Sequence, residues 1–209
     1  MASPLSSSYS YTSGKGAHSD SYLWTTVESI LAKSLSTDRR VFDLGCGNGT
    51  FARRLGGMGY DVFGVDPSEE GIVQAKLADP AARLEIGSAY DPLSEKFGKF
   101  PAVVSLEVVE HVYYPRLFAK CFFDLLEPGG IAIISTPYHG YLKNLALALS
   151  GKWDGHFTAL WDHGHIKFWS IATLTELFRE QGMERNSVHR VGRFPILAKS
   201  MILTFRKGE

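Results

Sequence analysis

Three features are scarce in this 209-residue sequence: cysteine, net charge and long apolar runs. Two cysteines cannot build a disulfide framework, which favours a reducing compartment, and we expect a cytoplasmic protein. The 22 basic and 22 acidic residues balance, so the composition argues against nucleic acid as a partner. No apolar run is long enough to span a bilayer, and the opening "MASPLSSSYSYTSGKG" lacks the apolar core of a secretory signal.

Short apolar segments alternate with helical patterns from residue 39 to about residue 136. This order predicts crossover units and a parallel sheet with helices on both faces. The predicted strands are "RRVFDLG", "YDVFGVD", "ARLEIGS", "FPAVVSL" and "IAIISTP". The predicted helices are "SYLWTTVESILAKSL", "GTFARRLGGMG", "PSEEGIVQAKLA", "PRLFAKCFFDLLEPGG" and "SIATLTELFREQG". Two further strands, "MERNSVHRVGRF" and "ILAKSMILTF", follow each other directly and should pair antiparallel.

The stretch "VFDLGCGNGT" places Gly45, Gly47 and Gly49 directly after the first predicted strand. Such a loop turns tightly and lets a ligand approach the backbone, at the sheet edge where open parallel sheets bind ligands. The next helix offers unpaired N–H groups to an anion. Asp66 ends the second strand and could accept both hydroxyls of a ribose. These residues predict a site for a nucleoside that carries an anionic group.

The pattern resembles the "D-x-G-x-G-x-G" motif of class I S-adenosylmethionine (SAM) methyltransferases, and the resemblance extends from Val41 to about Pro137. It implies a Rossmann-like α/β fold with a seven-stranded, mostly parallel sheet and an antiparallel final strand. It also implies cofactor contacts in four places. These are Asp43 with Gly45, Cys46, Gly47 and Gly49 at the methionine part; Asp66 with Pro67 at the ribose; Ser88 with Ala89 at the adenine; and Leu106 with Glu107 beneath the sulfonium.

A second motif, "EVVEH", places Glu107, Glu110 and His111 at spacings that share one face of a helical turn. Two carboxylates and an imidazole could bind Mg²⁺, Mn²⁺ or Zn²⁺. "WDHGHIKFWS" later supplies His163 and His165. We expect His163 to complete the metal site and His165 to act as general base. The alternative is that "EVVEH" borders the cofactor without a metal, and that His111 packs or acts in catalysis without one.

These two motifs resemble the metal-using O-methyltransferases of ubiquinone biosynthesis and the small-RNA 2′-O-methyltransferases. The first group has a Glu-x-x-Glu-His stretch and a histidine four residues before Lys-Phe, as His163 stands before Lys167. The second group has a His-x-His element followed by Trp and Thr, where this chain has Trp169 and Ser170. The resemblance implies a hydroxyl as the methyl acceptor.

The sequence divides into a flexible arm (residues 1–19) and one domain (residues 20–209) with an aromatic lid insertion at about 138–169. Seven aromatic residues of that insertion favour an acceptor pocket over plain burial. They are Tyr138, Tyr141, Trp153, Phe157, Trp161, Phe168 and Trp169. In the arm, Tyr9, Tyr11 and His18 could close over the cofactor.

We therefore predict SAM-dependent O-methylation of a small-molecule hydroxyl. The alternatives are metal-independent transfer to nitrogen or carbon, and a SAM-binding module without catalysis. A dehydrogenase is disfavoured because Thr50 breaks the dinucleotide fingerprint. The sequence leaves the oligomeric state open.

Overall fold

The computed structural model of the chain describes residues 20–157, 159–161 and 164–209. The predicted N-terminal arm, with Tyr9, Tyr11 and His18, lies outside the described residues, and so does His163. Within those ranges, every helix is too short or too polar to cross a bilayer.

Seven strands form one sheet in the order β3-β2-β1-β4-β5-β7-β6. β7 pairs antiparallel with both β5 and β6, and the other neighbouring pairs are parallel. The predicted seven-stranded, mostly parallel sheet and its antiparallel final hairpin are confirmed. The strands are β1 (Arg40–Leu44), β2 (Asp61–Asp66), β3 (Arg83–Ile86), β4 (Phe100–Leu106), β5 (Leu126–Pro137), β6 (Met183–Val191) and β7 (Ser200–Lys207).

Eight helices connect or flank these strands in the part of the chain that the structure describes. Two of them, α6 and α7, interrupt the strand–helix alternation between β5 and α8, where the aromatic insertion was predicted. The helices are α1 (Asp20–Ser34), α2 (Thr50–Gly57), α3 (Glu69–Ala78), α4 (Leu93–Phe97), α5 (Pro115–Leu125), α6 (Tyr141–Leu149), α7 (Trp153–Phe157) and α8 (Ile171–Arg179). A 3₁₀ turn, Pro195–Leu197, separates β6 from β7.

Local sequence explains where two of the helices begin. The Ser68 hydroxyl accepts the Gly71 N–H at the start of α3, and Glu69 and Glu70 fall in its first turn. α8 begins with a reciprocal capping box between Ser170 and Thr173. Such caps satisfy amide groups that have no partner inside the helix.

The join between α5 and β5 differs from the prediction. The helix ends at Leu125 and β5 already begins at Leu126, whereas the sequence suggested a helix running up to Pro128 and a strand from Ile131. Phe100 of β4 pairs with Leu126, but Ala102 pairs with Ile131, so the residues between bulge out of the ladder. Gly129 adopts a positive φ of 73° there, which glycine accommodates without strain.

Apolar side chains fill both faces of the sheet. One face packs against α5 and α8 through Phe118, Phe122 and Phe178, and the other packs against α1 through Leu23, Val27 and Leu31. Cys121 lies in the first cluster, and Cys46 lies in a smaller cluster beside α3. Both thiols are free.

Candidate active site

The glycine loop after β1 has the backbone conformation that its sequence predicted. Gly45, Gly47 and Gly49 have φ values of 87°, 54° and 70°, in the left-handed region that disfavours a side chain. Gly45 N–H and Cys46 N–H both donate to the Val65 carbonyl, at 2.8 and 3.1 Å. The loop is therefore fixed against the end of β2.

Asp66 at the end of β2 holds the same loop through its carboxylate. One oxygen accepts the Gly47 N–H at 2.9 Å, and the other accepts the Ser68 N–H at 2.8 Å. These two amide bonds lower the pKa of Asp66, but its burial outweighs them and the net shift is upward. A carboxylate has about four acceptor positions, so both oxygens can still accept ligand hydroxyls.

Asp43 lies on β1 next to this loop and is almost completely buried. Burial, followed by the charge of Asp66, raises the pKa of the Asp43 carboxyl to about 7. Two carboxylates this close in a low-dielectric region disfavour each other's ionisation. The pair therefore favours a cationic group nearby.

The loop after β3 carries the two residues predicted at the adenine. The Ser88 hydroxyl accepts the Tyr90 N–H at 3.2 Å, and the Ser88 N–H donates to the Asp91 carboxylate at 2.7 Å. Ala89 packs against the main core cluster. The Tyr90 hydroxyl accepts the N–H groups of Tyr113 and Tyr114, so this loop is tied to the segment before α5.

Glu107 follows β4 and has a φ of 55°. It is the one non-glycine residue of the described chain with a positive φ. Its N–H donates to the Ser135 hydroxyl at 2.9 Å. Its carboxylate accepts hydrogen bonds from the hydroxyls of Ser135 at 2.8 Å and Ser200 at 3.4 Å. Serines of β5 and β7 therefore hold the Glu107 side chain, and this contact with β5 fixes the unusual backbone.

The "EVVEH" stretch forms a turn between β4 and α5, where the sequence suggested one face of a helix. The His111 N–H donates to the Val108 carbonyl at 2.9 Å, which closes that turn. Val108 also lies against the glycine loop, since a Cβ added to Gly45 would come within 2.5 Å of a Val108 methyl group. The two predicted motifs therefore touch each other directly.

Glu110 is 1% exposed, and neither of its carboxylate oxygens has a hydrogen-bond partner among the described residues. Burial, followed by the charge of Glu107, raises the pKa of Glu110 well above its usual value. The nearby Thr136 hydroxyl offsets this rise only in part and makes no hydrogen bond to the carboxylate. A buried carboxylate without a partner favours either a proton or a cation beside it.

Two histidines accompany this carboxylate. Glu110, His111 and His165 each offer one ligand atom, and these atoms lie within 4.8 Å of one another. His165 Nε2 lies 4.0 Å from Glu110 Oε1. Burial, followed by the charges of His111 and His156, lowers the pKa of His165 to about 4, so its imidazole is neutral near pH 7.

Hydrogen bonds fix the orientation of the histidine cluster. His111 Nδ1 lies 3.2 Å from the Gly164 carbonyl, which requires the proton on Nδ1 and leaves Nε2 as the basic nitrogen. The backbone N–H groups of Ile166 and Lys167 both donate to the Glu110 carbonyl at 3.0 Å. The buried Trp169 indole donates to the Val109 carbonyl at 3.0 Å. These contacts bring His165 to a turn more than fifty residues earlier in the chain.

The described cluster contains Glu110 and His111, as predicted, together with His165. The carboxylate of Glu107 accepts the hydroxyls of Ser135 and Ser200, and the predicted ligand His163 lies outside the described residues, so its role stays a prediction. The remaining predicted cofactor residues, Pro67 and Leu106, adjoin Asp66 and Glu107. Sequence reasoning missed Ser135 and Ser200, because serines inside predicted strands carry no local signal of a hydrogen bond to a distant carboxylate.

Six of the seven aromatic residues of the insertion divide into two groups, and Phe157 is half-buried. Tyr138 and Trp169 are buried in the main core cluster. Tyr141, Trp153, Trp161 and Phe168 are all exposed by more than 40%. The Trp161 ring packs beside the rings of His111 and His165, with centroids 6.1 and 5.5 Å apart. Part of the insertion therefore belongs to the core, and part borders the candidate site.

The fold and the glycine loop define a class I SAM-dependent methyltransferase. A family model described as "Methyltransferase domain" matches residues 18–187, and the chain belongs to that family. The chain is also similar to ubiquinone biosynthesis O-methyltransferases. It is 30% identical to that of Ruegeria pomeroyi over 176 residues, which cover 78% of this chain and 69% of the relative. It is 40% identical to the enzyme of a Caulobacter species over 116 residues, which cover 54% of this chain and 46% of the relative.

The chain spans 60% of the ubiquinone biosynthesis O-methyltransferase of Azorhizobium caulinodans, at 34% identity over 158 residues and 71% of this chain. Solved structures support the fold. A methyltransferase in complex with the Haloferax volcanii Trm112 activator aligns with a TM-score of 0.67 at 19% identity, covering 89% of this chain and 90% of the other. Magnesium protoporphyrin IX methyltransferase from Synechocystis aligns with a TM-score of 0.65 at 20% identity, covering 89% and 84%.

Proposed function

We propose that the chain transfers a methyl group from SAM to a hydroxyl oxygen of a small molecule, with a divalent cation held by Glu110, His111 and His165. The observation that carries this proposal is the buried Glu110 carboxylate, which has no hydrogen-bond partner among the described residues and lies beside two imidazoles. The similarity to O-methyltransferases of ubiquinone biosynthesis supports a hydroxyl acceptor.

The three side chains fit a divalent cation. Two imidazoles and one carboxylate suit Zn²⁺ or Mn²⁺ better than Mg²⁺, which prefers oxygen ligands alone. When bound, such a cation supplies a Lewis acid that lowers the pKa of a hydroxyl. The His111 Nδ1 contact with the Gly164 carbonyl leaves Nε2 as the nitrogen that could bind a cation, and outer hydrogen bonds of this kind commonly orient ligating histidines.

The cofactor would lie along the glycine loop. We assign the methionine part to Asp43 and to the backbone of Gly45, Cys46, Gly47 and Gly49, the ribose to Asp66 and Pro67, the adenine to Ser88 and Ala89, and the sulfonium floor to Leu106 and Glu107. The raised pKa of Asp43 supports this assignment, because the ammonium of a bound methionine group would stabilise the ionised carboxylate.

The position of His165 changes the role predicted for this residue. A nitrogen lone pair that binds a cation cannot accept a proton at the same time. We therefore propose His165 as a ligand and not as the general base, and the predicted role of His163 as a ligand stays a prediction.

The segment from Tyr138 to Trp169 would cover the acceptor. Its end is anchored, because Ile166, Lys167 and Trp169 all bond to the turn that carries Glu110. Motion that admits the acceptor would therefore concentrate in α6 and α7 and not in the whole insertion. Two free thiols agree with a reducing compartment, and the cytoplasm remains our proposed location.

Methyl transfer from labelled SAM to a panel of catechols and vicinal diols tests this proposal. Activity should disappear on thorough chelation and return with Zn²⁺ or Mn²⁺. Glu110→Gln should reduce kcat/KM by about 100-fold or more, since even an outer-shell partner of a metal site is worth 10–100-fold. Glu184→Gln, at an exposed glutamate of β6, is the control and should leave the rate unchanged.

Two results would contradict the proposal. Activity that survives both chelation and Glu110→Gln would remove the cation and favour transfer to nitrogen or carbon. Tight SAM binding with no transfer to any acceptor would indicate a binding module without catalysis.

A further inference from the structure

Glu107 lies at the point where the order of the strands reverses. β1 and β4 are neighbours in the sheet, and the chain continues from β1 to β2 on one side and from β4 to β5 on the other. Open α/β sheets bind their ligands in the crevice at such a point. The glycine loop follows β1 there, and Glu107 follows β4 there. Val108 connects the two, because a Cβ on Gly45 would lie 2.5 Å from one of its methyl groups.

Two buried serines, which we call the serine pair, hold this glutamate from neighbouring strands. Ser135 of β5 accepts the Glu107 N–H at 2.9 Å, and its hydroxyl donates to Oε1 of the same residue at 2.8 Å. The Ser200 hydroxyl of β7 donates to Oε2 over a longer distance of 3.4 Å. Both serines are at most 2% exposed, so bulk water does not compete for their hydroxyls. Each oxygen of the Glu107 carboxylate therefore has its own donor, and Ser135 provides the closer contact.

The charge of Glu107 acts on two neighbouring groups. Burial, followed by this charge, raises the pKa of Glu110. Burial, followed by the charge of Arg193, lowers the pKa of Lys143, and the charge of Glu107 acts in the opposite direction. The serine pair therefore holds a negative charge in place at the crevice beside the glycine loop.

We propose that Ser135 and Ser200 are positioning residues that hold the Glu107 carboxylate at the sulfonium, and that this carboxylate binds the cationic SAM more strongly than its neutral product, S-adenosylhomocysteine. Loss of the methyl group removes the positive charge, because the electron pair of the broken carbon–sulfur bond stays on sulfur. A fixed carboxylate attracts the charged form of the ligand and not the neutral form. The arrangement would thus favour exchange of the product for new cofactor. This inference rests on the proposed position of the sulfonium beside Glu107, but its test needs neither an acceptor nor a cation.

Calorimetric titration of the full chain with SAM and with S-adenosylhomocysteine, in the presence of a chelator, measures this preference. It is expressed as the Kd of S-adenosylhomocysteine divided by the Kd of SAM. Glu107→Gln keeps the size of the side chain and removes its charge. It should lower this ratio at least about fivefold, which is the attraction between two unit charges in contact even with the screening of bulk water.

Variants of the serine pair test the positioning role. Ser135→Ala should lower the same ratio by about twofold to tenfold, the range for one lost hydrogen bond, and Ser200→Ala should lower it less because its bond is longer. Ser135→Thr keeps a hydroxyl and should retain most of the preference. Thr204→Val is the matched control, since it removes another buried hydroxyl of β7 that bonds to side chains of β6, and it should leave the ratio unchanged.

Three results would overturn the inference. The first is a Glu107→Gln protein that loses affinity for both ligands equally or keeps the wild-type ratio. The second is a ratio that falls as far in Thr204→Val as in Ser135→Ala, because the effect would then belong to any lost buried hydroxyl. The third is an unchanged ratio in Ser200→Ala if Ser135→Ala does not fold. A ratio that shifts as expected while no catechol is methylated would overturn the proposed acceptor and leave the serine pair in place.

Discussion

Asp66 and Glu110 are both buried carboxylates at or just beyond the carboxyl ends of parallel strands, but they differ in their hydrogen-bond partners. Each oxygen of Asp66 accepts a backbone N–H of the loops around it. Glu110 has no hydrogen-bond partner for either oxygen within the described chain, and two histidine rings lie beside it. The first carboxylate is part of the fold, whereas the second is a buried acceptor whose partner would come from a ligand.

The difference shows why burial alone does not identify a ligand site. Backbone amides that donate to a carboxylate offset part of the cost of burying it in the apo protein, and a ligand adds only further bonds. A carboxylate without partners raises the free energy of the apo protein, and the ligand removes the penalty when it binds. A mutation that removes the Asp66 carboxylate should therefore lower the stability of the apo protein. A mutation that neutralises Glu110 should keep that stability and lower ligand affinity instead.

The largest effect should come from exchanging the two carboxylates for neutral side chains. Asp66→Ala should lower the free energy of unfolding by about 3–6 kcal/mol, because two hydrogen bonds to a charged group are lost. Glu110→Gln should leave the apo protein as stable or stabilise it, because a buried group of raised pKa is removed. Urea denaturation of both variants measures this. Strong destabilisation by Glu110→Gln would show that its carboxylate supports the fold.

A smaller effect should appear in the pH dependence of stability at Asp43. Its pKa is about 7 in the folded protein, so the folded state binds more protons than the unfolded state between about pH 4 and pH 7. The neutral Asp43 carboxyl contributes to the free energy of unfolding fully below pH 4, and this contribution is lost as the pH rises through 7. Asp43→Asn should therefore gain stability relative to wild type across this window, by about 4 kcal/mol for a shift of about three pKa units.

Denaturation of both proteins at several pH values gives this difference directly, and because it is a difference it cancels the opposite contribution of the low-pKa histidines. A constant gap between wild type and Asp43→Asn from pH 4 to pH 7 would refute the raised pKa.

The smallest effect should come from the contact that joins the two regions. Gly45→Ala places a Cβ 2.5 Å from a Val108 methyl group and imposes a side chain at a φ of 87°. We expect a loss of about 2 kcal/mol, most of it from the left-handed backbone. Val108→Ala in the same chain should recover only the steric part. Full recovery in the double variant, measured by thermal denaturation, would mean that the backbone conformation carries no penalty.

The sequence predicted the parts of the molecule that depend on neighbouring residues. The glycine loop and the strand ending in Asp66 have local patterns, and the structure reproduces both. The "EVVEH" turn was wrongly read as one face of a helix, because the φ of Glu107 is set by Ser135, which lies 28 residues later. The early start of β5 depends on Leu126 pairing with Phe100, which no local pattern shows.

The histidine assignment illustrates the same limit. Sequence spacing alone does not show that His165 lies beside the "EVVEH" motif. The hydrogen bonds from Ile166 and Lys167 to the Glu110 carbonyl bring it there, and only the folded backbone contains that information.

The hydrogen bonds that join Glu110 to Ile166 and Lys167 also have a consequence for the order of folding. The loop that holds Asp66 closes over about twenty residues, from Gly47 to Ser68, and all of it lies in the first third of the chain. The Glu110 cluster closes over 56 residues and requires β5, α6 and α7 to be in place. Contacts of longer sequence separation carry a higher loop-closure entropy and tend to form later. During synthesis on the ribosome, we therefore expect the glycine loop to become native well before the Glu110 cluster is assembled.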